Sequence, residues 1–229
     1  MANVKNNASS QETRRKLIDA AGKVFSERGL HAATLREITH LAGVNTASVN
    51  YHFNDKYELY RAVVRHAVGL TLRNLPAEQL TGSPENRLRA FIAHVIKDSH
   101  DPARPEWRTS LLSHELNQPT AAMEAVMDEL IWPRVHFVNG LIRDILGPQA
   151  TKEEVASGAF SVIAQIVHCL YNAGLLRRIE PKLVEPDNAE TLAAHITEFS
   201  LAGLHAMRDQ SRANARQRDD QAVERPPGK

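Results

Sequence analysis

A repeated helix-start signature constrains this chain more than any other feature. "SSQE" (Ser9, Glu12), "TLRE" (Thr34, Glu37), "DKYE" (Asp55, Glu58), "TKEE" (Thr151, Glu154) and "DNAE" (Asp187, Glu190) each place a short polar side chain three residues ahead of a Glu. Each pair stands just before a segment whose apolar residues recur at helical spacing, and such a pair satisfies two of the backbone N–H groups that a first helical turn leaves without partners. "SPEN" adds another start, with Ser83 as cap and Pro84 at the first helical position. Convincing strand alternation is missing, so the expected fold class is all-α. The helices should lie near 10–28, 35–42, 45–52, 55–74, 84–100, 105–117, 120–146, 152–176 and 188–207. Pro133 should kink or divide the helix that contains it.

The 229 residues are 42% hydrophobic, ample for a core. The single Cys169 excludes an internal disulfide framework and a Cys-based zinc site, and suits a reducing compartment. No apolar run approaches the roughly 20 residues of a membrane span, and "MANVKNNASSQETRRK" lacks a signal peptide's apolar centre, so a cytoplasmic location without a membrane partner is expected. Formal net charge is only +1, yet residues 1–65 carry ten Lys/Arg against six Asp/Glu, which points to an anionic partner for that end. The segment "RDQSRANARQRDDQAVERPPGK" is charged and has no apolar stripe. It reads as a disordered tail.

Residues 35–53 fix the function class. A segment about two turns long ends at Gly43, a left-handed helix stop, and Val44 turns inward before a second short helix begins at Asn45, a good cap. Two short helices joined by a tight glycine turn and packed on a longer first helix form a helix-turn-helix, whose second helix lies in the DNA major groove. Val49 and Phe53, four apart, point to the core. That leaves Thr46, Ala47, Ser48, Asn50, Tyr51 and His52 outward, with small residues for close approach and polar groups suited to base edges and phosphates.

The stretch "TRRKLIDAAGKVFSERGLHAATLREITHLAGVNTASVNYHFNDKYELYRAVV" resembles the N-terminal DNA-binding domain of the TetR family of transcriptional regulators. The resemblance implies phosphate contacts from Thr34 with its helix-start amide, Tyr51, His52 and Lys56, and base contacts from Thr46, Ala47 and Ser48. Arg36, Asn45 and Asn50 complete the expected DNA-binding set. Thr39 stands where the family commonly has Ala. Asn50 stands where Tyr is commoner, which turns that position towards a base contact.

The blocks "SLLSHELNQPTAAMEAVMDELIWPRVHFVNGLIRDILG", "FSVIAQIVHCLYNAG" and "LAAHITEFSLAGL" resemble the ligand-binding and dimerisation domain of CecR-type members of that family, over roughly residues 84–207. This resemblance implies a homodimer through the helices near 152–176 and 188–207, and a small-molecule effector of apolar or aromatic character; the alternative reading is a constitutive DNA-binding regulator that senses nothing, with this half serving only as a dimerisation scaffold. Independently, "VASGAFSVIAQIVHCLYNAGLL" is apolar on more than one face, as a buried or interfacial helix is. The expected organisation is a flexible arm 1–9, a DNA-binding domain 10–56, an effector-binding and dimerisation domain 57–208, and the tail 209–229.

In the second half His114, His136, His168 and Tyr171 are polar groups on otherwise apolar helices, each more often a satisfied core or interface group than a ligand. They and Trp107 are the candidates for an effector cavity, although Trp107, like Trp132, reads first as a core residue. His94 and Asp98, four apart, have no evident third ligand, so no metal and no cofactor are expected. Nor is an enzyme. No Gly-x-Ser-x-Gly, H-E-x-x-H or phosphate-cradling glycine loop occurs, and His114 beside Glu115 points about 100° away from it on a helix.

Overall fold

The structure is a computed structural model that describes residues 2–70, 81–100 and 104–223. Its helices are α1 (Ala2–Ala32), α2 (Leu35–Ala42), α3 (Ala47–Phe53), α4 (Lys56–Leu70), α5 (Pro84–Ser99), α6 (Trp107–Asn117), α7 (Ala121–Val126), α8 (Trp132–Leu146), α9 (Lys152–Tyr171), α10 (Ala173–Ile179) and α11 (Ala189–Val223). No strand occurs among the described residues. The chain is all-α, as its helix-start signatures require.

Most of those signatures work as caps. Thr34 and Thr151 form complete capping boxes with Glu37 and Glu154. Asp55 Oδ1 accepts from the Glu58 amide at 2.8 Å, and Ser83 Oγ accepts from the Asn86 amide at 3.3 Å. "SSQE" does not start a helix. α1 already runs from Ala2, Glu12 pairs with Lys16 at 3.0 Å, and the Ser9 carbonyl accepts from the Thr13 hydroxyl. The expected flexible arm is therefore helical from Ala2. Asp187 lies inside the short 3-10 turn Pro186–Asn188 that leads into α11.

The chain divides into two compact units, Met1–Arg73 with Pro102–Pro133, and Asn74–Asp101 with Arg134–Lys229. In the first, α1 packs on α2, α4 and α6 around Leu17, Phe25, Ile38, Val49, Leu59 and Val63. The division by packing does not coincide with the sequence boundary at residue 56, because α6 and α7 join the N-terminal helices. Two contacts explain this. Trp107 fills the space above Gly22 on α1, where an added Cβ would overlap the indole. The buried Glu115 on α6 accepts hydrogen bonds from the Tyr60 hydroxyl of α4 and from the Thr120 amide and hydroxyl that begin α7, the last two at 3.0 and 2.8 Å.

In the second unit α11 packs on α5 and α9 around Leu88, Ile92, Ile142, Val162, Ile196 and Leu204. Gly158 permits the close approach of these helices, since a Cβ there would stand 2.9 Å from Leu204 Cδ2 and 3.0 Å from Ile142 Cγ2. α11 does not stop near 207. The segment expected to be a disordered tail is helical to Val223, built from good helix formers and anchored by Ser211, whose buried hydroxyl donates to Glu154 at 3.0 Å. Residues 224–229 lie outside the described residues.

Pro133 acts as expected on its helix. A π-helical turn, Met127–Ile131, precedes it and separates α7 from α8. The expected single helix over 152–176 breaks at Asn172 into α9 and α10. Trp132 is no core residue, being 45% exposed. The expectation that no segment suits a membrane span also needs amending: α9, 20 residues long, is apolar enough by length and composition alone. A helix that is covered on both faces in a soluble assembly has the same composition.

Candidate nucleic-acid interface

The recognition element is built from local chemistry. α2 begins at Thr34, whose hydroxyl accepts from the Glu37 amide at 3.2 Å while the Glu37 carboxylate accepts from the Thr34 amide at 3.1 Å. Arg28 of α1 pairs with the same carboxylate at 3.1 Å. The Thr34 hydrogen bonds, with Arg28 beside them, hold the Glu37 carboxyl below its ordinary range. With Thr34 engaged by Glu37, the helix start offers a phosphate the amides of Leu35 and Arg36, which have no intrahelical acceptor. The Arg36 side chain is exposed beside them.

Gly43 closes α2 in the left-handed region, at φ 65° and ψ 35°, and its amide donates to the last-turn carbonyls of Thr39 and His40. Val44 is half-buried. The second helix then starts at Ala47, two residues later than expected, but Asn45 is its cap: Asn45 Oδ1 accepts from the Ala47 amide at 2.9 Å. The short helix divides as its pattern requires. Val49 and Phe53 are buried at 0% and 7% exposure, whereas Tyr51 is 80% exposed. Asn45, Thr46, Ala47 and Asn50 are exposed, and Ser48 and His52 half-buried. The Tyr51 and His52 rings meet edge to face, their centroids 4.8 Å apart.

Lys56 has a second task that the sequence did not reveal. Its ammonium donates to the carbonyls of Ala33 at 3.1 Å and His31 at 3.3 Å, and so clasps the α1–α2 connection to the start of α4. An ammonium carries three hydrogens, so one remains for a phosphate. Two further residues belong to the site. Arg14 lies over the Phe53 ring, 5.1 Å from its centroid, and adds a cation at the end of the recognition helix. The buried Thr39 places its hydroxyl 3.3 Å from that of Thr46. The departure from Ala at residue 39 was the available signal for the second; nothing local pointed to the first.

The expected effector candidates divide between the two units. Trp107 and His114 are in the first, where Trp107 is buried against Gly22 as a packing residue and His114 is exposed. His136, His168 and Tyr171 are in the second, with His136 and His168 exposed and Tyr171 half-buried. Burial pushes the Tyr171 hydroxyl up to about 12, and the nearby Arg134 guanidinium opposes the shift. Among the described residues no group of three His, Cys, Asp or Glu could hold a metal ion.

Two family models cover most of this architecture. "Bacterial regulatory proteins, tetR family" matches residues 17–63, and "HTH-type transcriptional dual regulator CecR, C-terminal domain" matches residues 84–206. The chain belongs to the TetR family of transcriptional regulators. Among similar proteins, the HTH-type transcriptional regulator TtgR of Pseudomonas putida is 40% identical over 208 residues, covering 87% of this chain and 93% of that one. The HTH-type transcriptional activator FasR of Mycolicibacterium smegmatis is 42% identical over 82 residues, 35% of this chain and 37% of that one. In fold, the chain is similar to the transcriptional regulator FadR of Bacillus subtilis solved in complex with stearoyl-CoA, with a TM-score of 0.65, 14% identity, and 82% and 98% of the two chains covered. The family is one of DNA-binding regulators and not of enzymes.

Proposed function

We propose that this TetR-family regulator binds a near-palindromic operator as a homodimer, represses transcription from it, and is released by a small-molecule effector. The observation that carries the operator reading is the division of α3: Val49 and Phe53 buried, Tyr51 80% exposed, and Thr46, Ala47 and Asn50 open to solvent around it. A helix held by two apolar residues, with Ala47, Asn50 and Tyr51 open to solvent, suits the major groove. In this reading Thr46, Ala47, Ser48 and Asn50 face bases. The helix-start amides that Thr34 sets up, Arg36, Tyr51, His52 and the free hydrogen of Lys56 face phosphates, and Asn45 sets the start of the helix.

The dimer is supported by a second apolar face in the other unit. Phe160 of α9 is 75% exposed and Phe199 of α11 is 67% exposed. Small residues flank them, with Ala156 and Ala164 on α9 and Ala202, Gly203 and Ala206 on α11. Large apolar side chains among small ones suit close packing against a second copy. The dimer would set two recognition helices about 34–36 Å apart on successive major grooves. An effector that favours a dimer with another spacing lowers DNA affinity by its differential affinity for the two states. The location is cytoplasmic, where the operator is.

The test is fluorescence anisotropy with operator DNA at several salt concentrations. Lys56→Ala should weaken binding to every sequence and flatten the salt slope, whereas Asn50→Ala should change which sequence is preferred. Equal loss on every sequence from Asn50→Ala removes residue 50 from base reading.

A further inference from the structure

The hydroxyl group of a Thr or Ser in the major groove is ambivalent. It accepts from the amino groups of adenine and cytosine, or donates to the keto oxygens that guanine and thymine carry at the corresponding edge positions. Such a residue discriminates poorly unless something fixes the direction of its hydrogen.

In this protein something does. Thr39, on α2, is 3% exposed, and its Oγ1 lies 2.8 Å from the Leu35 carbonyl oxygen and 3.3 Å from that of Arg36. Carbonyls only accept, so the single hydroxyl hydrogen of Thr39 is drawn to Leu35, the shorter contact. The remaining lone pairs of Thr39 Oγ1 face Thr46 Oγ1, 3.3 Å away at the start of the recognition helix. With the Thr39 hydrogen committed, that contact forms only if Thr46 donates. At 3.3 Å it is a long hydroxyl contact, yet it gives the Thr46 hydrogen an inward acceptor. Thr46 itself is exposed, and with its hydrogen turned inward its oxygen has only lone pairs left to offer a base.

We infer that Thr39 is a positioning residue that fixes the Thr46 hydroxyl as a hydrogen-bond acceptor, so that the recognition helix selects an amino over a keto group at one base position of its site. The inference rests on the operator reading above and names one of its specificity determinants. It predicts adenine over guanine, or cytosine over thymine, at that position, by roughly 3- to 10-fold, the discrimination that one neutral hydrogen bond commands.

The test is selection from randomised duplexes by the full-length protein and by Thr39→Val, Thr39→Ser and Thr46→Val, followed by binding to duplex pairs that differ by the amino-to-keto exchange. Valine matches threonine in shape and leaves no orphan acceptor, because Leu35 and Arg36 keep their helical amide donors. Thr39→Ser keeps the hydroxyl. The expected result is an amino-bearing base at one selected position, loss of that preference in Thr39→Val and Thr46→Val, and its retention in Thr39→Ser. A merely structural role for Thr39 would change affinity on all duplexes alike and leave base preference unmoved. Wild-type selection of a defined motif with identical base preferences in Thr39→Val overturns the inference and leaves the operator reading intact. Selection of no motif by the wild type removes both.

Discussion

The indole of Trp107, on α6, fills the notch that Gly22 leaves on α1, and a methyl group at residue 22 would overlap its ring atoms. A tryptophan far along the sequence is thereby part of the scaffold of the DNA-binding helices. Gly22→Ala should lower stability by about 1–3 kcal/mol through overpacking. Trp107→Ala should lower it by about 3–5 kcal/mol through cavity formation. Urea unfolding followed by circular dichroism measures both. A neutral Gly22→Ala would mean that the ring is free to move aside.

Acid should loosen the start of α2. The Thr34 hydrogen bonds and Arg28 hold the Glu37 carboxyl below its ordinary range. A folded-state value below the unfolded one contributes stability above the unfolded value and loses it as pH falls through the folded one. Thermal unfolding should therefore shift downwards as pH drops below the usual carboxylate range. Glu37→Gln should shrink that acid-side loss while lowering stability at neutral pH. An unchanged acid limb in Glu37→Gln would remove Glu37 from it.

Alkali acts with the opposite sign. Burial, the Glu115 hydrogen bond and the Glu115 charge push the Tyr60 hydroxyl above its ordinary range, and burial pushes Tyr171 up to about 12. Folded-state values above the unfolded ones leave stability intact below the unfolded tyrosine value, about 10, and erode it as pH rises further. Tyr60→Phe and Tyr171→Phe should each flatten the decline in stability above that pH, read by chemical unfolding at a series of alkaline pH values. An undiminished decline in both variants would contradict the burial of these hydroxyls.

The dimer reading predicts that charge on the second apolar face separates the copies. Phe160→Glu and Phe199→Glu should yield folded monomers by analytical ultracentrifugation, with circular dichroism unchanged. A charged group buried in such an interface costs several kcal/mol. Dimers that survive both substitutions would place the interface elsewhere.

How far the sequence was legible follows from the range of each interaction. Thr34, Gly43 and Asn45 act on amides a few residues away, so the start of α2, its stop and the start of α3 could all be read from neighbouring letters. The burial of Val49 and Phe53 followed from helical spacing. The clasp of Lys56 onto His31 and Ala33 was hidden because it depends on where the end of α1 comes to rest. The polar end of α11 carried no apolar stripe, and its anchor, Ser211 on Glu154, joins residues distant in sequence. Ser9 and Glu12 matched a capping box in letters, but the residues before them continue the helix, so no free amides awaited a cap there. Trp107 could be read as apolar; that it packs on Gly22 needed the fold.

The most direct test of the account is the anisotropy of the purified protein with the DNA upstream of its own gene and with a shuffled duplex of the same composition, at about physiological salt. Binding to the upstream duplex should be about 1000-fold or more tighter, with two subunits, or a multiple of two, at each site. Equal, weak and salt-sensitive binding to every duplex in a selection from genomic DNA, by a protein that sediments as a monomer, would contradict it.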